Sequence, residues 1–577
     1  MLYQIGPAGR ESRLKPSRSS ARLAHGAIIA RHARGKAVRI AARPLSFLAR
    51  LRRLGPTRLV IAPPDIRTAD PTRAEDIYAG HFVFGGRLVD GGGRPPFEIP
   101  PPTVGFAREL AGFGWLRHLR AAGTALARTN AQALIADFIA AERRLRAGPA
   151  GEPAVTARRL LSWLSHSPFV LDGADADFHH VFLRALGRDA AHLAARLPET
   201  VGADRLLGAI AMAEVTLCAD LGPGSVHRAT AVLSAELTRQ IFADGGHVGR
   251  NPQVLIDLCL DLLPLRFTFA GRQQPVPQPV LTAIDRMIPM LRLLRHGDGS
   301  LACFNGMGVT EPDHLATVLA YGDADGRALV AAPEAGYQRL EGDAALVIVD
   351  AGAPPPPRQS GDAHAGCLAF EFSVGADRVI VGCGAPSRSQ DAAREAARQT
   401  AAHSTLVIDD TSSSRFAAVK GVESLARGEI VAWPRQVSVE RREEPDAATL
   451  DLTHDGYARR FGLLHRRRLA LARTGRGFEG EDGLAAASQP GEAAPARFAL
   501  RFHLHPSVAA EPAPDGRGLR LRTPGGATLL FEAGEAETSL EESVFFAAPT
   551  GAKRTSQIVV AGDAKPGAAV RWSFTLI

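Results

Sequence analysis

One change of rhythm divides this chain. From Gly105 to about Tyr321 apolar residues recur at helical spacing, as in Leu134-Ile-Ala-Asp-Phe-Ile-Ala and Leu281-Thr-Ala-Ile-Asp-Arg-Met-Ile. After Arg327 they fall into short alternating runs separated by Gly, Pro and Asp, among them Ala345-Leu-Val-Ile-Val, Ser404-Thr-Leu-Val-Ile, Gly428-Glu-Ile-Val-Ala, Phe498-Ala-Leu-Arg-Phe-His-Leu and Arg571-Trp-Ser-Phe-Thr-Leu. A repeat near 3.6 residues lays one stripe of a helix on a core, and a repeat of two lays down one face of a strand, so a segment patterned for one serves badly as the other. The expectation is an α+β multidomain chain, helical first and β-rich after. Its 577 residues suffice for at least two cores. The divisions fall at a basic N-terminal extension (1–58), a lead-in (59–104), a helical domain (105–326) and a β domain (327–577). Within the lead-in, Phe82–Phe84 and Gly86–Val89 read as a short hairpin.

Charge is placed just as unevenly. The first 58 residues hold fourteen Lys or Arg against one acid, Glu11; with +8 on the whole chain, the extension is +13 and the remainder −5. Between Ala24 and Leu54 the extension reads as helical pieces interrupted at Pro44, with Ile28, Ile29, Val38, Ile40, Leu45, Phe47 and Leu48 set among arginines. That suits an anionic membrane surface or an acidic polymer, and a solvated tail is the alternative. The continuous apolar stretch and small-residue cleavage site of a secretory signal are missing. No recognised nucleic-acid module accompanies the charge, so no nucleic acid is expected as a partner. No apolar run is long enough to span a bilayer. The five cysteines, Cys218, Cys259, Cys303, Cys367 and Cys383, form no Cys-x-x-Cys pair and read as small buried hydrophobes.

Two polar constellations stand out. In the β-rich half, Asp362-Ala-His364-Ala-Gly366 and Ala402-His403-Ser-Thr405 flank the strand-like segments Cys367–Gly375 and Arg378–Pro386, and both histidines read as lying on strands. In the helical half, Asp244-Gly-Gly-His247-Val-Gly-Arg250-Asn251-Pro252 forms a loop. It joins an amphipathic segment, Val226–Phe242, to another that opens with Pro252 at a first helical position.

This arrangement resembles the heparinase II/III family over most of the chain, from about Arg58 to the C-terminus. The resemblance implies an N-terminal (α/α) toroid followed by a C-terminal antiparallel β-sandwich. It also implies polysaccharide lyase activity and a place in the cell envelope or periplasm, the cytoplasm being the alternative. Carried over position by position, it implies losses as well. The family's His-x-His-Ala-Asp element is Asp362-Ala-His364-Ala-Gly366 here, so Asp362 replaces the first histidine and His364 keeps the second. The zinc of some members implies a site at His364 and His403, but the third ligand's position is Gly382; the other reading makes both histidines hydrogen-bonded residues lining a cleft. The Gly-Gly-His loop is present, but the tyrosine that follows it in the family is Val254, and the family's carboxylate-neutralising Asn has no match near Gly202–Leu207.

The implied reaction is a β-elimination on an anionic, uronate-containing polysaccharide, in which the proton beside the carboxylate leaves and the glycosidic oxygen is expelled. It needs a group to neutralise the carboxylate, a base and an acid. His247, His364, His403 and Tyr337 are the catalytic candidates, and Arg250, Asn251 and Asp362 the substrate-binding ones. The alternative function is a non-catalytic glycan-binding relative. Each candidate also has a plainer reading: His247 as a loop cap, Tyr337 as a packed strand residue, Phe304-Asn305-Gly306 as a simple turn beside the cleft. His454–Tyr457 with His465–Arg468 reads as a basic strand pair facing either an acidic glycan or solvent, and His503 with His505 as structural.

Overall fold

The structure, a computed structural model, describes Ala30 and residues 58–577 apart from 220, 222, 323–325, 388–389, 418–427, 515 and 517. The expected helical pieces of the basic extension lie outside the described residues, Ala30 excepted.

Helices occupy the chain from Val104 to Ala320. Several begin on side chains suited to the exposed N–H groups of a first turn: Thr103, Thr124, Asp175 and Asn251 each accept from a backbone N–H two or three residues on. The helices Pro153–Leu171, Gly202–Cys218 and Pro252–Gly271 pack against one another in succession. Ala176–Arg196, Pro223–Gln240 and Gln278–Leu293 lie against them from outside, which makes an (α/α) toroid of inner and outer helices. Two inner helices carry an internal proline, which removes one N–H and frees a carbonyl four residues back. Here other groups take those carbonyls: Ser167 Oγ donates to Leu164 O and Arg67 Nη1 to Leu260 O. Arg67 and Arg158 also pair with the buried Asp261, tying the lead-in to the inner helix. The hairpin forms as expected, His81–Phe84 against Arg87–Asp90.

Among the described residues the C-terminal half is built on two antiparallel sheets of eight and nine strands, with a two-stranded pair, Arg415–Phe416 and Ile430–Ala432, beside them. Phe370, Phe478, Phe502, Trp572 and Phe574 fill the space between them. Strand Ala345–Asp350 explains why the sequence reads there as an unbroken apolar run. Leu346 and Ile348 join the helical core, whereas Ala345, Val347 and Val349 join the core between the sheets. The nine-stranded sheet is thus the middle of three layers, covered on both faces. In the other sheet Leu463–Ala472 alternates buried and exposed, with His465 and Arg467 inward and Arg466 and Arg468 in solvent. The pairing of His454 with His465 is therefore a core feature, not a glycan-facing one. All five cysteines are free and buried.

One inner helix carries a titration of its own. Glu214 is almost fully buried and receives the Thr268 hydroxyl and the Cys218 thiol; among the described residues no cation pairs with it. Burial pushes its carboxyl up to about 8 from an ordinary 4.5. Between those values the folded chain holds a proton that the unfolded chain has lost, so this group lowers stability as the pH rises, by about 1.4 kcal/mol per pH unit. Denaturation of Glu214→Gln followed from pH 5 to 8 is expected to lack that decline. A parallel decline in the variant would reject the assignment.

Candidate functional site

The Gly-Gly-His loop folds as it does because it is pressed between the domains. A Cβ on Gly245 would stand 1.9 Å from Arg286 O, and one on Gly246 2.3 Å from the Ala335 side chain, so only glycines fit this passage. Asp244 accepts from the backbone N–H groups of Glu334 and Ala335, fixing the loop to the start of the β domain. The loop then delivers His247, Arg250 and Asn251 to the junction.

There the side chains are already engaged. All five N–H donors of Arg250 are used: Nε by Ala335 O, Nη1 by Gly352 O and Ala353 O, Nη2 by Gly336 O and the Asp350 carboxylate. Its guanidinium also lies 4.8 Å from the centre of the Tyr337 ring. Tyr337 donates its hydroxyl to Arg250 O and accepts from Asn305 Nδ2 at 3.1 Å. Asn305 joins the rest: Nδ2 also donates to Asp350 at 3.0 Å, and Oδ1 accepts from the His364 backbone at 3.3 Å. His364 and His403 share a hydrogen bond of 3.2 Å. His247 accepts from Gly249 N at Nδ1 and pairs through Nε2 with Gln240, which caps the loop. Arg250 and Asn305 both take left-handed backbone angles, φ 60° and 46°, that non-glycine residues adopt only when their surroundings insist.

These contacts correct several expectations. Neither His364 nor His403 lies on a strand; the first sits in the loop after Ser360, and the second follows the short turn Thr400–Ala402. Arg250 has no donor left for a substrate, and the Tyr337 hydroxyl is closed off within the junction. Burial holds His247 and His403 down to about 4 and His364 well below its ordinary value, while it raises the Tyr337 phenol. Protonating any of these imidazoles would place a charge at a buried position. The structure brings all four catalytic candidates to one junction but turns them inward. Asn305, which reads in sequence as a turn, proves to be the centre of the network; its place before Gly306 is a signal of a left-handed position but not of partners.

Zinc does not fit the residues present. Gly382 lies beside His403, a Cβ there standing 3.5 Å from His403 Nδ1 and 3.4 Å from Glu371 Oε1, but glycine supplies no ligand. Among the described residues no three His, Cys, Asp or Glu side chains are grouped to hold a metal ion.

Asn251 and Asp362 lie at the outer edge of the network. Asn251 caps the helix from Pro252 through Oδ1 and donates through Nδ2 to Asp362 Oδ2 at 3.2 Å. The other oxygen of Asp362 accepts from Arg394 at 2.9 Å. Val254 follows in the first turn, its apolar side chain packed against the helical core.

Residues 324–573 match the family model described as Heparinase II/III-like, C-terminal. Along nearly the whole chain there is similarity to FtsZ-localized protein C of Caulobacter vibrioides (strain NA1000 / CB15N), 32% identical over 543 residues that cover 90% of this chain and 92% of that protein. Among solved structures, heparinase III superposes with a TM-score of 0.69 at 14% identity, covering 93% of this chain and 89% of its own. Heparan sulfate lyase HepC from Pedobacter heparinus gives 0.56 at 16% identity, covering 94% and 88%. At such identities the likeness is one of fold.

Proposed function

This chain belongs to the heparinase II/III family, and from that premise we propose that it binds an anionic, uronate-containing polysaccharide without cleaving it. One observation carries the reading: the side chains that could move a proton are buried and bonded to protein groups, His247 within its own loop, His364 and His403 to each other, and Tyr337 across the domain junction. A base must come within about 3 Å of the proton it removes. His247 and Tyr337 are committed to other partners, His364 and His403 face each other, and Val254 has no proton to give. The names of the structural neighbours, heparinase III and a heparan sulfate lyase, point to the class of ligand. The partly open Asp362 and Arg394, with the buried Asn251 amide behind them, offer polar groups to it.

The carbon-oxygen lyase reading makes the opposite prediction. Incubation with a panel of uronate-containing polysaccharides, with zinc, calcium or chelator added, is expected to yield no new ultraviolet absorbance from an unsaturated product, while affinity electrophoresis detects binding. Formation of that product would restore the lyase and displace the binding reading.

A second reading concerns place. The similarity to a protein named for its localization with FtsZ spans nine tenths of the chain. On that ground this protein also accumulates where FtsZ does, and its +13 N-terminal extension suits an anionic membrane surface there. A fluorescent fusion is expected to form a band coincident with FtsZ; an even distribution would count against it.

A further inference from the structure

We infer that Arg394 and Asn251 form a carboxylate-reading pair at the mouth of the domain junction, and that Asp362 occupies it as an internal stand-in for the carboxylate of a uronate. This deepens the binding reading above and rests on it.

The geometry is that of a bound carboxylate. Asp362 Oδ1 accepts from Arg394 Nη2 at 2.9 Å and Oδ2 from Asn251 Nδ2 at 3.2 Å, so a guanidinium and an amide each serve one oxygen. The amide is oriented in advance. Its oxygen is taken by Gln253 N, which turns the NH2 group toward the carboxylate. Asn251 comes from the helical domain and Arg394 from the β domain, so the pair exists only where the two meet.

Access separates this carboxylate from the others nearby. The Asp362 and Arg394 side chains retain 23% and 21% of their exposure, against 3% and 5% for the neighbouring Asp350–Arg250 pair. An ion pair that water reaches is worth little and exchanges readily, whereas a buried one does not. Gly306 keeps the place open. A Cβ there would stand 2.8 Å from Asp362 Cβ and 3.2 Å from Asn251 Nδ2, and its φ of +87° suits glycine.

The backbone around Asp362 is fixed, Ala363 N–H donating to Ser360 O at 3.0 Å across the turn, so only the Asp362 side chain has to swing away. Arg398 donates to Ser360 O on one side and to Ala363 O on the other, anchoring both flanks. Between these anchors lie only Gly361 and Asp362, and Gly361 is exposed with open space where a side chain would stand. A ligand carboxylate can therefore replace the Asp362 carboxylate on the same two donors while the flanks stay fixed.

The test uses the full-length chain with glucuronate as the probe and glucose as its uncharged counterpart, binding being measured by NMR titration and folding by circular dichroism. If the pair is vacant in about a tenth of molecules, removing the internal competitor raises affinity about tenfold. Asp362→Asn is accordingly expected to bind glucuronate at least about tenfold more tightly than the parent, with no change for glucose. Adding Arg394→Gln should abolish the gain. Equal glucuronate affinity in parent and Asp362→Asn, or a gain that survives Arg394→Gln, would overturn the inference. Polysaccharide binding that persists while Asp362→Asn brings no gain would sink the inference and leave the binding reading standing. A glucuronate gain without binding of any polysaccharide would do the reverse.

Discussion

Arg250→Met is expected to destabilise the folded chain by about 3–5 kcal/mol, the usual cost of removing one partner from a buried ion pair. The arginine binds four carbonyls and one carboxylate, all on the β domain, from a loop of the helical domain. Methionine fills much of the same space but returns none of those bonds and leaves the Asp350 carboxylate without its cation. Burial already favours the protonated form of Asp350. Once Arg250 is gone only the hydrogen bonds from Asn305 and the Gly352 N–H oppose that pressure, and Asp350 stays folded most easily as the neutral acid. The penalty is therefore expected to be larger at pH 8 than at pH 5. Urea denaturation of the two proteins at both pH values measures this. A loss below about 1 kcal/mol, typical of a surface pair, would show that the junction does not depend on Arg250.

Asp482→Ala should cost a similar amount inside the sandwich, about 3–5 kcal/mol. The Asp482 carboxylate is fully buried and takes four hydrogen bonds: from Arg467 at 2.8 and 3.1 Å, from Trp572 Nε1 at 2.8 Å, and with His465 Nε2 at 2.7 Å. Alanine leaves the equally buried Arg467 guanidinium with only the carbonyls of Leu368 and Ser404. The pH dependence follows from the same contacts. Although burial opposes ionisation, Arg467 and His465 together hold Asp482 well below its ordinary value of 3.8. A carboxylate depressed in the folded state stabilises above its unfolded value and loses that contribution as the pH falls through the folded one. The parent is therefore expected to lose stability on acidification below about pH 4 in a step that Asp482→Ala lacks. An unchanged acid limb in the variant would place the ionisation elsewhere.

The contrast between Arg250 and Arg394 shows what could be read in advance. The company of Arg250 with Asn251 in a glycine-rich loop marks a polar site, and the site is indeed at the junction. Sequence cannot tell a guanidinium aimed at a ligand from one aimed at the carbonyls of a strand about a hundred residues later, because those carbonyls have no side-chain signature. Arg394 carries no motif at all and becomes notable only because Asp362 stands beside it.

The sequence by itself determined the class of the fold and the order of its parts. Helical spacing before Tyr321, alternation after Arg327, Pro252 at a helix start and a hairpin at Phe82 are local patterns, and local patterns bind locally formed structure. It determined too that Val254 and Gly382 carry neither the hydroxyl nor the carboxylate that the family resemblance implies at those positions, since a missing functional group is missing in any conformation. Only the tertiary structure decided which way the surviving groups face. Asn305, Tyr337, Asp350, His364 and His403 span almost a hundred positions, and their pairing follows from the packing of the toroid on the middle sheet. Once that packing removes water, each buried polar atom must find a protein partner or bear the cost of having none. That requirement turned Arg250, Asn305 and Tyr337 into the bolt between two domains and left the three histidines buried beside it.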